Sequence, residues 1–386
     1  MPVVTFMKEL RAICSHQFEA ILLGDFEPEN VDVMVDEVAQ ANFNAIQLCV
    51  KAPGVLYYPS KIGVVHDYCK EYDLLGETLR KCHAAGLEFH SYFPVALAGG
   101  WAGSEYQFDN KGGILADHPE WATIAYTDGN YEPSHFGCLS NPEFLDYIEK
   151  LVEEQCISYS IDVLVLDFIR YNARCFCESC KKNYQEMFGE KLQYENVQYC
   201  DTYTQKDVPG ELEIEYRCLT VHNAVKRLSA TARRAARDVR VGAYVFPVPR
   251  TGLLRVFQEW SRFARYLDAI FIMYYDTFSI DNLKALFPLH RDATDRPVFP
   301  GTITMRAPAV YRSRDTPEFH CSFLDEARRA GFPGFFLFNY ETLFRRPPGE
   351  SLGKVIRPPQ GPEDLAAIKG QILNEPAEPF FGIRNR

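Results

Sequence analysis

Eight short apolar runs recur along the chain, and most are followed by a stretch with helical spacing. They are AILLGDF (20–26), NAIQLCV (44–50), LEFHSYF (87–93), DVLVLDF (162–168), VGAYVFP (241–247), AIFIMYYD (269–276), PVFPGTI (297–303) and FPGFFLFNYE (332–341). Each is apolar nearly throughout, not on alternate residues, which marks strands buried on both faces. Between them, NVDVMVDEVAQAN (30–42) sets Val31, Met34, Val35 and Val38 on one helical face, and a second helix (74–86) stops at Gly86. Asn141-Pro142 and Thr316-Pro317 each place a capping side chain before a proline in the first turn. Strand, helix, strand, repeated eight times, predicts an α/β chain folded as a (β/α)8 TIM barrel with a parallel sheet. No glycine-rich phosphate cradle follows any run, so no organic cofactor is expected.

A chain of 386 residues admits two or three domains at about 150 residues each. The eight units reduce that to one barrel, residues 1–345. The remainder, 346–386, holds Pro347, Pro348, Pro358, Pro359, Pro362, Pro376 and Pro379 and reads as a Pro-rich C-terminal extension packed on the barrel. The connections after strands two (51–70), three (94–140) and four (169–217) are long, whereas helix-to-strand connections are short. Insertions on one side place the working face at the C-terminal ends of the strands.

Composition excludes several classes. The net charge is −11, with 52 acidic against 41 basic residues, which weighs against nucleic acid as a partner. No run of 18 apolar residues occurs, so no membrane association is expected. The start, MPVVTFMKELRAICSH, lacks a basic region followed by an apolar one, which points to a cytoplasmic protein. The 28 Phe, 22 Tyr and 3 Trp fit a core and also a platform for sugar rings. Assembly into a homo-oligomer stays open.

Carboxyl groups at strand ends are the place to seek chemistry. Asp25 ends the first run, Asp167 the fourth, Asp276 the sixth and Glu341 the eighth. Acids on different strands meet across one mouth, as glycoside hydrolysis by two carboxyls requires. Asp167 leaves a dry strand at the rim, with Arg170 and Tyr171 just beyond it. It is the first candidate for nucleophile or base, Asp276 for general acid, and Glu341 is the reserve. Asp25, His90, Tyr92, Trp101, Tyr244, Tyr274 and Asn339 are candidates for lining the cleft with Arg170 and Tyr171. Retention or inversion depends on a carboxyl separation of about 5–5.5 Å or about 6.5–9.5 Å, which a sequence does not carry.

Twelve cysteines are present, and most sit inside apolar runs as small hydrophobes. Cys175, Cys177 and Cys180 form C-x-C-x2-C, a spacing that lets three thiols converge on one tetrahedral zinc. A fourth ligand is needed. Cys138 is the first choice, with Cys218 or His135 behind it.

HPEWATIAYTDGNYEP (118–133), CLSNPEFLDYI (138–148), VLDFIRYNARCFCESCKKNYQEMFG (165–189), WSRFARYLDAIFIMYYDTF (260–278) and AGFPGFFLFNYET (330–342) resemble the glycoside-hydrolase-like barrels of bacteria. That resemblance implies a barrel and a glycosidase acting on carbohydrate. Cys138 with the C-x-C-x2-C set is similar to the zinc cluster of β-galactosidases of the large retaining clan. This implies Cys138 as the fourth ligand of a structural zinc. Where those enzymes carry Asn-Glu at the end of strand four, Asp167-Phe168 stands here, so their acid assignment does not transfer. IMYYD (272–276) is similar to the Met-x-Tyr-Asp of chitinase-type barrels, but the strand-four Glu of that motif falls on Ile169. Asp on strand four with Asp on strand six resembles α-galactosidase-like barrels, which implies Asp167 as nucleophile and Asp276 as acid/base. The other readings are a metal-dependent hydrolase or isomerase and a barrel that binds sugar without cleaving it. The first lacks a His-x-His on its first strand, and the second follows from the absence of a complete catalytic signature.

Overall fold

A computed structural model of the protein describes residues 8–99, 113–194, 197–201, 206–247, 250–275, 279–304, 316–344, 366–370 and 377–384. Eight parallel strands close into a barrel: β1 (Leu10–Ser15), β2 (Ala45–Cys49), β3 (Glu88–Pro94), β4 (Val163–Asp167), β5 (Arg240–Val245), β6 (Ala269–Met273), β7 (Val298–Ile303) and β8 (Gly334–Phe338). Each strand pairs with its neighbours in chain order, and β8 pairs with β1 to close the ring, Leu10 opposite Gly334 and Ile13 opposite Leu337. The closure depends on a glycine. Gly334 has φ +152, and a Cβ there would stand 2.2 Å from the carbonyl oxygen of Leu10.

The predicted barrel is present, with one correction. The run at 20–26 is not the first strand. The first strand is LRAICS (Leu10–Ser15), and the run falls on α1 (Gln17–Leu23), which ends at Gly24 with φ 74. A short apolar run does not reveal its own period. Here Phe18 and Ile21, three apart, are the buried pair, whereas all six residues of β1 are buried, Arg11 and Ser15 included. Five of the other seven runs contain their strand, and β3 and β5 each extend one residue beyond theirs, to Pro94 and from Arg240.

The helices are α2 (Glu29–Gln40), α3 (Leu74–Ala84), α4 (Ile114–Asp117), α5 (Pro142–Ser158), α6 (Glu178–Phe188), α7 (Glu211–Ala235), α8 (Trp260–Phe263), α9 (Ile280–Arg291), α10 (Pro317–Arg329) and α11 (Tyr340–Phe344). Their caps follow the sequence. The Asn141 side chain accepts from the Phe144 N–H at 3.1 Å, and Thr316 accepts from Phe319 N–H at 3.2 Å. On α2 the buried face is Val31, Met34, Val35 and Val38, as the spacing predicts. Among the described residues no helix is long and apolar enough to cross a membrane.

Two hairpins stand on the rim in the long connections. Ala122–Thr127 pairs with Asn130–Gly137 between β3 and α5, and Val197–Asp201 pairs with Lys206–Pro209 between α6 and α7. The opposite end of the barrel is crossed by residues 377–384. There Asn44 donates to the Glu378 carbonyl at 2.6 Å, the Gly382 N–H donates to Glu88 at 2.7 Å, and the Arg384 guanidinium donates to the Ile161 carbonyl at 2.7 Å. Phe380 packs on Phe299, and Phe381 on His90 and Phe299.

Candidate active site

Strand alternation decides which side chains enter the mouth. On β4, Val163, Val165 and Asp167 share a face, and Asp167 is the last of them. The chain then turns sharply at Phe168, whose φ is +47. This turn returns Arg170 over the carboxylate: its guanidinium donates to Asp167 Oδ1 at 2.7 Å while lying 4.1 Å over the Phe168 ring. Tyr92, on the adjacent β3, donates its hydroxyl to Asp167 Oδ2 at 2.7 Å. Asp167 is thus an acceptor on both oxygens, and only 2% of its surface is exposed.

Glu341 reaches the mouth from the turn after β8. Its Oε1 accepts from the Ser15 hydroxyl at 2.7 Å, the His16 backbone N–H at 2.8 Å and the Gln17 amide at 3.3 Å. Its Oε2 is buried with no partner among the described residues. Burial pushes the carboxyl above its ordinary range, further than the His16 charge and the Ser15 hydroxyl lower it.

His16 follows β1, its backbone N–H on Glu341 and its ring beside the Tyr92 that donates to Asp167. Its ring packs 5.0 Å from Phe338, 5.2 Å from Phe18 and 5.6 Å from Tyr92. Burial lowers its affinity for a proton, but Glu19, whose Oε1 lies 3.2 Å from Nδ1, outweighs this together with the Glu341 and Asp167 charges. The net effect raises the imidazole above its usual value. Sequence reasoning missed His16 because it placed the first strand ten residues late. The histidine stands immediately after LRAICS, and only the barrel reveals that this is a strand end. Tyr275 was missed for a related reason: of Tyr274-Tyr275, the second packs 5.5 Å from Phe338 on the mouth side.

The remaining candidates are placed as follows. Asp276 and Trp101 lie outside the described residues. Asp25 is exposed beyond α1, not at a strand end, because the run it closes is helical. His90 is fully buried in the half of the barrel away from the mouth, with Nε2 2.9 Å from Glu88 and its ring against Phe381. Tyr244 lies inside the barrel beside Tyr92, its hydroxyl donating to Gln47 at 2.6 Å. Tyr274 points outward, its hydroxyl on His290 and its ring against Phe287 and Phe323 of α9 and α10. Asn339 spends its side chain capping α11, accepting from Thr342 N–H at 3.1 Å. Tyr171 turns away from the mouth toward the cysteines, its hydroxyl 2.9 Å from Ser140 and 3.8 Å from Cys180. Of the predicted set, the fold therefore brings Asp167, Arg170, Tyr92 and Glu341 together at the mouth.

The rim loops are tied down on both sides. Lys51, fully buried after β2, donates to the carbonyls of Pro94 at 2.8 Å and Leu97 at 2.5 Å. Burial lowers its ammonium to about 7. Further along the β3 connection and in the β4 connection, Cys138, Cys175, Cys177 and Cys180 bring their sulfurs within 4.8 Å of one another, all buried. Cys138 Sγ lies 3.5, 3.6 and 3.5 Å from the sulfurs of Cys180, Cys175 and Cys177. Disulfides need about 2.05 Å. A tetrahedral zinc with bonds of about 2.3 Å needs sulfurs about 3.8 Å apart, so the donor set and its size fit one such ion. Burial raises Cys180, but hydrogen bonds from the other three thiols and the Arg217 charge more than offset it, leaving it well below the usual thiol range. Arg217 is fully buried and donates to the Cys175 carbonyl at 3.0 Å and to Glu213 at 2.7 Å. Cys218 stands apart on α7, nearest Glu259 and Arg262, and His135 packs on Phe136 in the hairpin; neither belongs to the cluster.

Residues 9–285 match the family described as Glycosyl hydrolase-like 10. The chain belongs to that family. Glycosyl hydrolase YngK of Bacillus subtilis (strain 168) is 27% identical over 225 residues, 56% of this chain and 39% of that protein. This Glycosyl hydrolase-like 10 chain thus spans about two fifths of the length of the curated relative it matches. Among solved structures, the β-galactosidase of Halorubrum lacusprofundi superposes with a TM-score of 0.63 at 12% identity, covering 86% of this chain and 53% of that one. The α-L-fucosidase isoenzyme 2 of Paenibacillus thiaminolyticus gives 0.61 at 16% identity, covering 94% and 49%. At such identities the likeness is one of fold.

Proposed function

We propose that the chain is a glycoside hydrolase that cleaves a small oligosaccharide or glycoside with two carboxyl groups in the barrel mouth. The observation carrying this reading is that Asp167 at the end of β4 and Glu341 beyond β8 are both withdrawn from water beside His16, whose backbone N–H is on Glu341 and whose ring packs on the Tyr92 that donates to Asp167. Asp167, an acceptor for Arg170 and Tyr92, serves as nucleophile or base at the anomeric carbon. Glu341 is the second carboxyl. Burial favours its protonated form, and its unpartnered Oε2 passes that proton to the glycosidic oxygen as the bond to the anomeric carbon breaks. Family membership and the barrel shared with proteins named β-galactosidase and α-L-fucosidase support a glycoside as the substrate class. The four cysteines are proposed to hold a structural zinc that joins the loops after β3 and β4 and takes no part in bond cleavage.

A panel of nitrophenyl glycosides assayed with Asp167→Asn, Glu341→Gln and Asp276→Asn tests the assignment. Asp167→Asn and Glu341→Gln are expected to lower kcat by about 100-fold or more. Loss confined to Asp167→Asn and Asp276→Asn moves the acid role to Asp276. Parental turnover in Asp167→Asn overturns the reading.

A further inference from the structure

Among the described residues, the buried side-chain atoms at the mouth without a hydrogen-bond partner include Glu341 Oε2, Arg170 Nε and His16 Nε2. In a native fold such atoms ask for an explanation, and a bound ligand is one. Glu341 Oε2 is accounted for by the glycosidic oxygen in the reading above, and Arg170 already spends its charge on Asp167. His16 is not accounted for. Its ring is wedged among Phe18, Tyr92 and Phe338, and Nδ1 is held on the Glu19 carboxylate. With Nδ1 engaged, Nε2 is the nitrogen left for anything else. On one side Tyr92 gives its hydroxyl to Asp167. On the other, the His16 backbone N–H is on Glu341 Oε1. The imidazole therefore stands beside the space between the two carboxyls.

We infer that His16 is a specificity-determining substrate residue whose Nε2–H donates to a hydroxyl of a neutral sugar held between Asp167 and Glu341. The inference rests on the glycosidase reading of the mouth. Charge argues for a neutral sugar. Among the described residues Arg170 is paired with Asp167 and His16 with Glu19, so beside His16 the carboxylate of an acidic sugar would meet the Asp167 charge, whereas a neutral sugar would not. The groups that face the imidazole are Glu19 from α1, Glu341 from α11, Asp167 from β4 and the Tyr92 phenol from β3. Burial opposes the protonated ring, but the Glu19 carboxylate on Nδ1 and the Asp167 charge favour it, which makes Nε2 a donor.

His16→Phe keeps the packed ring and removes the donor, whereas His16→Gln keeps a donor near Nε2. With an aryl glycoside that the parent cleaves, His16→Phe is expected to raise KM and lower kcat/KM by about 10- to 100-fold, changing kcat much less. His16→Gln should recover part of that loss. In the parent, KM should rise as pH climbs above the ordinary histidine range of about 6.5, and in His16→Gln that rise should vanish. A kcat/KM within twofold of the parent in His16→Phe overturns the role. A second arm works without turnover: nitrogen NMR of the histidine-labelled protein titrated with galactose, fucose, glucose and glucuronate. The His16 Nε2 signal is expected to move with a neutral sugar and not with glucuronate. No movement with any of them overturns the inference, and movement with glucuronate alone overturns the neutral assignment. If no glycoside is cleaved, the glycosidase reading fails by itself and the NMR arm still decides His16.

Discussion

Glu341 stands in the sequence as an ordinary acid after an apolar run, and its surroundings give it a different character. Three donors from Ser15, His16 and Gln17 converge on Oε1, yet Oε2 is buried without one. The balance favours the neutral acid. The consequence for stability has a definite sign. A carboxyl that holds its proton more tightly when folded makes its contribution fully below the unfolded value of about 4.3. That contribution is lost as pH rises through the folded value. Glu341→Gln does not titrate, so its melting temperature should gain on the parent from pH 4 to pH 8, as thermal unfolding at several pH values would measure. A parallel course of the two curves would show that the carboxyl is solvated. Asp167 makes the complementary point. Its candidacy was legible from a dry strand followed by Phe-Ile-Arg, but the phenol that completes its environment comes from position 92, which no local pattern links to it.

At the scale of elements, the two long loops beside Asp167 meet at the cysteines. Cys138 precedes α5, and Cys175, Cys177 and Cys180 lead into and begin α6. The four sulfurs bring the β3 connection against the β4 connection, within a few residues of Arg170. C-x-C-x2-C announced three ligands from spacing alone. The fourth lies 37 residues upstream of Cys175, and its choice over Cys218 or His135 needed either a family resemblance or the fold. If zinc fills the site as proposed, its removal leaves four buried thiols crowded around a void. A strong chelator, or Cys180→Ser, is expected to lower stability by at least about 2 kcal/mol and to loosen the loops. Calorimetry and elemental analysis of the dialysed protein would check both the loss and the metal. The first apolar run shows the opposite limit. AILLGDF is as apolar as a strand, but a run of this length is equally at home on one face of a short helix. Pairing with both β2 and β8 is what selects LRAICS instead.

For the molecule as a whole, the barrel has two differently built ends. One carries the long loops and the carboxyls. The other is crossed by residues 377–384, whose backbone N–H groups satisfy Glu88 and Asp162 and whose Phe380 and Phe381 cover Phe299 and His90. Glu88 in turn holds His90, and His90 lies 3.3 Å from the Gln47 amide that supports Tyr244. A polar column thus runs through the apolar barrel from the segment toward the mouth. Phe380→Ala with Phe381→Ala should cost about 3 kcal/mol, read from denaturant midpoints. An unchanged midpoint would show that the segment is a passive cover. The sequence carried most of the architecture, because seven of the eight buried strands fall in largely apolar runs and a parallel sheet needs a helix between each pair. It also marked Asp167, Arg170 and three of the four thiols, since each lies in a local pattern with a physical meaning. Only the tertiary structure decided that β1 starts at Leu10, that Tyr275 and not Tyr274 faces inward, and that Ser15 and His16 meet Glu341. Those outcomes depend on closing a ring between residues more than 300 positions apart, and no short-range pattern encodes the register at which that ring closes.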